Sequence, residues 1–263
     1  MATVTQHTPG SPCWFELATS DQDSAKQFYS QLFGWSSMDI PIGPAGMYTM
    51  FQLDGRDTGA AYTLMPEQTS QGVPPHWMVY FHTPDCDAST AKAVELGANV
   101  IAPAMDVYES VRISMLQDPT GAHFALCQPK QHAGAGVVGE NNSIGWSELI
   151  TPDPAKAIAF YTALLGWDTK PSSTSPVEYT EFMVGGQPMG GIMKLTPEFG
   201  EMPPCWSVYM MVADCDGTVS KAAELGGRAC HGPFDAGSVG RIAVMNDPQG
   251  AMFNIIQLAS PMH

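Results

Sequence analysis

The sequence predicts an α+β protein built from two tandem domains of the same design. Residues 14–17 (WFEL) recur as residues 146–149 (WSEL), an offset of 132. Self-similarity at a long offset indicates a duplicated folding unit. With 263 residues and 44% hydrophobic side chains, the chain is long enough for two domains that each bury a core of their own.

The repeat extends through both halves of the chain. Its offset is 132 for the first matches and 129 for the later ones, and this change indicates a loop insertion or deletion. The segment between the copies is rich in glycine and small residues, which is typical of a linker. The predicted boundaries are 11–129 for the first domain, 130–141 for the linker and 142–261 for the second domain. The other matched pairs are 28–29 with 160–161, 34–35 with 166–167, 74–77 with 203–206, 85–87 with 214–216, 95–97 with 224–226, 112 with 241, and 118–122 with 247–251.

Each domain is predicted to contain a strand, a helix and further strands, followed by the same series again. In the first domain a strand over 13–19 leads to Asp21, which suits a helix start, and Gly34 suits the helix end. Asp153 and Gly166 take these places in the second domain. The later elements predicted in the first domain are strands near 48–53, 59–65 and 77–82, a helix near 87–96, and strands near 100, 112–117 and 123–128.

Charge and composition limit the classes of partner that the protein is expected to bind. The chain has 26 acidic and 11 basic residues, a formal net charge of -15, which repels nucleic-acid phosphates and anionic lipids. No membrane span or signal peptide is recognisable, so we expect a cytoplasmic location. The six cysteines are scattered without a C-x-x-C pair and are expected to be reduced thiols. The expected partner is therefore a small molecule, not a nucleic acid or a membrane.

The order of the motifs resembles a known superfamily. A D-x-x-x-A-x-x-F-Y helix that ends in L-x-G-W, a D-x-D-x helix start, an E-L-G helix end and a D-P-x-G-A turn occur in the same order in both domains. This order is similar to the vicinal oxygen chelate (glyoxalase/bleomycin-resistance/dioxygenase) superfamily, and in particular to two-domain bacterial glyoxalase-like or hydroxylase-like antigens. The resemblance implies two βαβββ modules in each domain, folded into a cupped, incomplete barrel around a small-molecule cavity. It leaves open whether a cup is built within one domain or across both, and whether the protein is a monomer with pseudo-twofold domains or a homodimer.

The resemblance also locates where the metal enzymes of the superfamily hold a divalent ion. In the first domain the ligand positions correspond to Trp14, Met78 and Ala125. An indole cannot ligate a metal, and neither domain has the His and carboxylate set that such an ion requires. We therefore expect no metal cofactor, while a substitute site for a divalent ion at His76, His82 or His123 stays open as the alternative. The corresponding positions in the second domain are Trp146, Ser207 and Asn254.

Two glutamates are the candidate catalytic residues. Side chains two places apart in a strand point to the same face, so Glu16 should lie beside Trp14, and Glu148 beside Trp146. Desolvation of a carboxylate next to an indole disfavours its charged form and prepares it for general acid or base work. The structural alternative is a glutamate bonded to nearby backbone or to Arg112 or Arg241.

The remaining candidates are residues of the expected cup. Arg112 and Arg241 could clamp an anionic substrate, or form structural ion pairs. The strand tryptophans could stack on a planar ligand, or pack in the core. The expected ligand-binding residues are Trp14, Trp77, Met78, Arg112, His123, Ala125, Trp146, Trp206, Ser207, Arg241 and Asn254.

Three functions are consistent with these features. The first is a protein that binds a small aromatic or hydrophobic molecule without a metal. The second is a lyase, isomerase or hydroxylase-type enzyme that acts on a small metabolite through Glu16 or Glu148, or through a non-standard metal site. The third is an assembly protein whose cups are filled by its own tryptophans. A fold alone does not decide between them.

Overall fold

Each half of the chain forms one mixed eight-stranded sheet. The computed structural model describes residues 3–43, 46–173 and 177–260. The elements of the first half are β1 (Pro12–Thr19), α1 (Gln22–Phe33), β2 (Ser36–Pro41), β3 (Met47–Leu53), β4 (Arg56–Thr63), α2 (Pro66–Ser70), β5 (His76–His82), α3 (Cys86–Glu95), β6 (Asn99–Val107), β7 (Val111–Gln117) and β8 (His123–Pro129). The strands lie in the order β2-β3-β4-β1-β5-β8-β7-β6.

The second half repeats this arrangement. Its strand order, β10-β11-β12-β9-β13-β16-β15-β14, is the first order shifted by eight. A short 3-10 helix (Pro197–Phe199) takes the place of α2. The elements are β9 (Ile144–Thr151), α4 (Pro154–Leu165), β10 (Asp168–Pro171), β11 (Tyr179–Val184), β12 (Gln187–Lys194), β13 (Cys205–Met211), α5 (Cys215–Glu224), β14 (Arg228–Asp235), β15 (Gly240–Asn246) and β16 (Met252–Leu258).

The two modules of each domain meet at its central strands. In the first domain β1 pairs in parallel with β4 of its own module and antiparallel with β5 of the next module. The strands β9, β12 and β13 repeat these pairings. Each sheet is therefore completed within one domain and stays open at two edges, so the predicted α+β fold of tandem domains with paired βαβββ modules is confirmed.

The helix ends follow the chemistry of their terminal residues. The Asp21 side chain accepts from the backbone N–H of Ser24 at the start of α1, and Gly34 ends the helix with φ 75°. Asp153 and Gly166 do the same for α4, with φ 74° at the glycine. The aspartates satisfy free helix N–H groups, and a glycine adopts the left-handed conformation at little steric cost.

Two elements of the first domain were not located by the sequence pattern. The strand β2 has every side chain exposed, so it lacks the alternation of buried and exposed residues by which a half-buried strand is recognised. The five-residue helix α2 has no buried residue and begins with Pro66, which suits the first turn of a helix. Residue 261, at the end of the second predicted domain, lies outside the described residues.

The domains pack through a reciprocal pair of buried hydrogen bonds. The Tyr29 hydroxyl of α1 donates to Asp247 Oδ2 (3.1 Å) in a turn of the second domain. The Tyr161 hydroxyl of α4 donates to Asp118 Oδ2 (2.9 Å) in the matching turn of the first domain. The aspartates also accept backbone N–H bonds within their own turns, so they hold both the turn and the interface.

Each interface tyrosine also accepts a hydrogen bond from a strand tryptophan. The Trp77 Nε1–H group donates to the Tyr29 hydroxyl (3.0 Å), and the Trp206 Nε1–H group donates to the Tyr161 hydroxyl (2.9 Å). All four side chains are buried. No helix in the described parts of the chain is long and apolar enough to cross a membrane.

We predict that Tyr29→Phe lowers the free energy of unfolding by about 2–3 kcal/mol, because the buried Trp77 N–H loses its acceptor and Asp247 loses a donor. Urea unfolding would measure the change. The control is Tyr108→Phe, at a side chain 71% exposed, which should change the value by less than about 0.5 kcal/mol. Equal losses in the two variants would contradict an interface held by this hydroxyl.

Candidate ligand-binding site

The two faces of each sheet have different roles. In β1 the side chains of Phe15 and Leu17 alternate with those of Trp14 and Glu16, so the two pairs point to opposite faces. Leu17 is the register partner of Trp77, which contacts α1. The face that carries Trp14 and Glu16, and its equivalent with Trp146 and Glu148, is therefore turned away from the first helix of the domain and is here named the cup face.

A glutamate on the cup face of the first domain is held by two tyrosines. The Tyr80 hydroxyl donates to Glu16 Oε2 (2.5 Å), and the Tyr48 hydroxyl lies close enough to this carboxyl group to lower its pKa. The Trp14 Nε1–H group donates to the Tyr48 hydroxyl (3.0 Å). Glu16 is 8% exposed. The indole, the two phenols and the carboxyl group thus form one largely buried polar cluster, here named the Trp–Tyr–Glu–Tyr chain.

The second domain builds the same chain from matched residues. The Tyr209 hydroxyl donates to Glu148 Oε1 (2.8 Å), and the Tyr179 hydroxyl lies close enough to the same carboxyl group to lower its pKa. The Trp146 Nε1–H group donates to the Tyr179 hydroxyl (2.8 Å). Gly191 is the register partner of Glu148, and a Cβ atom on Gly191 would lie 2.0 Å from the Tyr179 hydroxyl. Residue 191 must be a glycine so that the Tyr179 side chain can pass over β12 and reach Glu148.

Burial sets the protonation of both glutamates. It raises the pKa of Glu16 above its ordinary value, and the bonds from Tyr80 and Tyr48 offset only part of this effect. Burial raises the pKa of Glu148 to about 7, against the opposing effect of Tyr209 and Tyr179. A carboxyl group with a pKa near 7 gains or loses its proton near neutral pH, so it can serve as an acid, a base or a hydrogen-bond donor.

The tyrosines were not among the residues singled out from the sequence, although the repeat carried the signal. Tyr80 and Tyr209 match at the offset of 129 used for neighbouring residues. Tyr48 and Tyr179 match at 131. This intermediate offset becomes visible only when strand β3 of the first domain is aligned with its equivalent, strand β11 of the second domain. Single phenols in apolar strands look like core residues until the buried carboxyl group beside them is known.

The three positions implied for metal ligands lie together on the cup face. Tyr80 has Trp14 and Ala125 as register partners, and Met78 is the partner of Glu16. In the second domain, Tyr209 lies between Trp146 and Asn254, and Ser207 is the partner of Glu148. These side chains offer an indole, a thioether and a methyl group in one domain, and an indole, a hydroxyl and an amide in the other. They do not fit a divalent ion, which needs His or carboxylate ligands.

The histidines considered for a substitute metal site do not converge. His76 and His82 stand at opposite ends of β5, so their Cα atoms are separated by about 20 Å at the rise of an extended strand. His76 Nδ1 bonds to the Pro74 carbonyl oxygen. His123 is near His76 and is exposed at the start of β8. Among the described residues, no group of three or more His, Cys, Asp or Glu side chains is arranged to hold a metal ion.

Four of the expected ligand-binding residues point away from the cup face, which corrects their assignment. Trp77 and Trp206 are buried on the helix face, where they donate to Tyr29 and Tyr161, so they belong to the core. Arg112 forms two bonds to Asp87 (2.6 and 2.8 Å) and one to Asp106 (3.0 Å).

Arg241 repeats this ion-pair arrangement with Asp216 and Asp235. Both arginines are therefore surface ion-pair residues that join a helix to the edge strands, and neither bonds to Glu16 or Glu148.

Two surface grooves lie outside the cup faces. One, of about 340 Å³, is lined by residues of the N-terminal segment, the end of β5 and the start of the segment between the sheets. The other, of about 410 Å³, lies where α1 begins, beside β3 and β4. Neither groove is lined by the glutamates or their tyrosines. The half-buried side chains are the ones that a ligand can reach first. They are Tyr48 on the first cup face, and Trp146 and Tyr179 on the second.

The fold and the sequence together define the class of this protein. Residues 13–126 match the family described as the glyoxalase/bleomycin resistance protein/dioxygenase superfamily, and residues 147–256 match the glyoxalase-like domain. The chain belongs to this superfamily, as the motif order predicted. Its relatives include CFP32 of Mycobacterium tuberculosis, a glyoxylase by name, which is 40% identical over 256 residues and covers 97% of each chain.

A second relative is the anthracycline biosynthesis protein DnrV of Streptomyces peucetius. It is 36% identical over 265 residues, which cover 97% of this chain and 96% of the relative. Both relatives match the chain over both domains, so the tandem arrangement is shared with them.

Solved structures share the fold at low sequence identity. The Mn(II)-bound glyoxalase from Novosphingobium aromaticivorans superposes with a TM-score of 0.64 at 13% identity, over 97% of this chain and 86% of that one. The 2,3-dioxygenase LapB from Pseudomonas sp. KL28 gives a TM-score of 0.66 at 12% identity, over 99% and 96% of the two chains. At these identities the likeness concerns the fold alone.

We predict that Glu148 makes folding pH-dependent. Its folded pKa of about 7 lies above the ordinary value of 4.5, so the folded state binds more protons and the stability contributed by the protonated carboxyl is lost as pH rises through this window. Glu148→Gln should remove a fall of roughly 3 kcal/mol in unfolding free energy between about pH 4.5 and 8. Urea unfolding at several pH values would measure it. The exposed Glu224→Gln is the control and should leave the wild-type pH curve unchanged; identical curves for wild type and Glu148→Gln would refute the assignment.

Proposed function

We propose that this protein binds a small, planar aromatic or hydrophobic molecule at the cup face of one or both domains, in a site that has lost the metal ligands of the superfamily. The observation that carries the proposal is the largely buried Trp–Tyr–Glu–Tyr chain, which occurs at matched positions in both domains. It combines aromatic surface with one titratable polar group, and small-molecule sites commonly have this composition.

The aromatic side chains set the class of ligand. Trp146 and Tyr179 are half-buried and hydrogen bonded to each other, so their rings are held in place before a ligand arrives. Fixed aromatic rings stack on planar ligands with little loss of side-chain entropy. The resemblance to an anthracycline biosynthesis protein supports an aromatic ligand.

The polar group sets the orientation of the ligand. A protonated Glu148 can donate a hydrogen bond to a ligand oxygen, and an ionised one can accept. No metal cofactor has a role in this proposal, since the side chains at the implied ligand positions are not those of a divalent site. The partner is a small molecule in the cytoplasm, consistent with a net charge of -15 that disfavours nucleic acid and anionic membranes.

We predict that 2-naphthol binds to the protein and that binding is lost when both cup tryptophans are replaced, in Trp14→Phe with Trp146→Phe. Isothermal titration calorimetry measures the binding, and the two single variants assign it to a domain. Trp77→Phe and Trp206→Phe are matched controls, because those indoles face the helices and should leave the affinity within about twofold.

Metal-stripped protein supplies the complementary control. Zn, Ni, Mn and Fe(II) should leave its melting temperature unchanged. A metal-dependent rise of several degrees that His76→Ala or His123→Ala abolishes would contradict the metal-free site, and a failure of every planar aromatic to bind would refute the proposed ligand class.

A second candidate function is proton transfer on a small metabolite, of the lyase or isomerase type. The pKa of about 7 at Glu148 favours it, because such a group is present in both protonation states at neutral pH. The bonds from Tyr209 and Tyr179 would hold the carboxyl group in one orientation during the transfer.

For this second function we predict that the protein catalyses exchange of solvent deuterium into the α position of an aromatic α-hydroxyketone such as 2-hydroxyacetophenone. NMR would follow the exchange, and its rate should rise with a midpoint near pH 7 and disappear in Glu148→Gln. Exchange that persists in Glu148→Gln would exclude this glutamate as the base. Absence of exchange in the wild-type protein would refute the second function and leave ligand binding as the proposed function.

A further inference from the structure

The two cup faces share the Trp–Tyr–Glu–Tyr chain but differ at the positions beside it. In the first domain the register partner of Glu16 is Met78, and the residue next to Tyr80 is Ala125. Neither side chain offers a strong hydrogen-bonding group to a ligand. This part of the first cup face is therefore apolar.

The first cup face is also covered at its tryptophan. His132, in the segment between the sheets, packs edge-on against Trp14 with ring centroids 4.8 Å apart. His132 Nε2 lies 3.1 Å from Asp57 Oδ2, and its Nδ1 accepts the backbone N–H of Gly134. The imidazole is held from both sides, and Trp14 is 7% exposed.

The second cup face is polar at the same positions and more open. Ser207 is the register partner of Glu148, and Asn254 is the partner of Tyr209. Asn254 Nδ2 donates to Ser207 Oγ (2.7 Å), and these side chains are 3% and 1% exposed. Trp146, which matches the covered Trp14, is half-buried.

This amide–hydroxyl pair has one hydrogen-bond donor and one acceptor that the protein itself does not use. Ser207 Oγ accepts from Asn254, and it donates no hydrogen bond to a described residue, so its own proton is free to donate. Asn254 uses Nδ2 in its bonds to Ser207 and to the Val208 carbonyl, and no described residue donates to its Oδ1. A donor and an acceptor thus lie side by side on the cup face of the second domain. Asn254 Oδ1 is not among the unpaired side-chain atoms that are closed off from solvent, so its free position is open to an external partner.

We propose that the second cup face is selective for a planar ring that carries an N–H or O–H group next to a carbonyl, as in a cyclic amide. The ligand carbonyl accepts from Ser207 Oγ–H, the adjacent ligand donor bonds to Asn254 Oδ1, and the ring lies against Trp146. This assignment rests on the proposed aromatic-binding function and adds to it the hydrogen-bonding edge of the ligand and the domain that binds it.

The test compares three ring systems of nearly equal size by isothermal titration calorimetry. The ligand 2-quinolone has both the N–H and the carbonyl, N-methyl-2-quinolone lacks the donor, and naphthalene lacks both groups. Wild-type protein should bind 2-quinolone about tenfold more tightly than its N-methyl derivative and more tightly still than naphthalene, because each lost bond leaves a buried protein group unpaired.

Variants locate this preference in the protein. Ser207→Ala and Asn254→Ala should each weaken 2-quinolone binding about tenfold and leave naphthalene binding unchanged. Ser220→Ala, at an exposed serine of α5 outside the cup face, is the control and should change neither affinity. The ligand series on wild-type protein keeps the test decisive if Asn254→Ala fails to fold.

The outcomes separate the two proposals. Equal affinities of wild-type protein for all three rings would overturn the hydrogen-bonding edge and leave aromatic binding intact. Selectivity that survives in both Ser207→Ala and Asn254→Ala would overturn the assignment to the second domain. Failure of all three rings and of 2-naphthol to bind would overturn the proposed function itself.

Discussion

The antiparallel pairing of β1 with β5, repeated by β9 with β13, is the constraint on which the rest of each domain depends. It joins two modules that would otherwise each have an unpaired strand, and its register sets a glutamate and a tyrosine from different modules side by side. A shift of one residue between the two strands would put the glutamate and the tyrosine on opposite faces of the sheet. The hydrogen-bonded chain on the cup face is thus a product of strand register.

Placing a carboxyl group in this position has an energetic cost that the phenols only partly offset. Burial favours the neutral acid, while the hydroxyl groups favour the carboxylate, and at Glu148 the two effects leave a pKa of about 7. A purely apolar residue would pack there without that conflict. Retention of the same conflict in both copies is what distinguishes these glutamates from ordinary core residues, and it is the reason to look for their role at the cup face.

Much of the fold could be predicted from the sequence, and the cup could be predicted in part. The aspartate and glycine signals located α1 and α4, and strand alternation placed Glu16 beside Trp14. Alternation alone did not decide which face a tryptophan on another strand uses, so Trp77 was assigned to the cup although it packs on α1. The edge strand β2, exposed along its whole length, has no periodic pattern to detect. The tyrosines became meaningful only when the register brought them to the carboxyl groups.

The reciprocal bonds between Tyr29 and Asp247 and between Tyr161 and Asp118 also bear on how the two halves fold and arose. Each half supplies a donor from its first helix and an acceptor from its last turn, so neither half satisfies its own buried groups in isolation. Unfolding of one half exposes unpaired groups in the other, which couples them into one cooperative unit. Two identical subunits related by a twofold axis would make the same reciprocal pair of hydrogen bonds. The gene duplication therefore accords with an ancestral homodimer whose subunits were fused, with the intersubunit contact preserved inside a single chain.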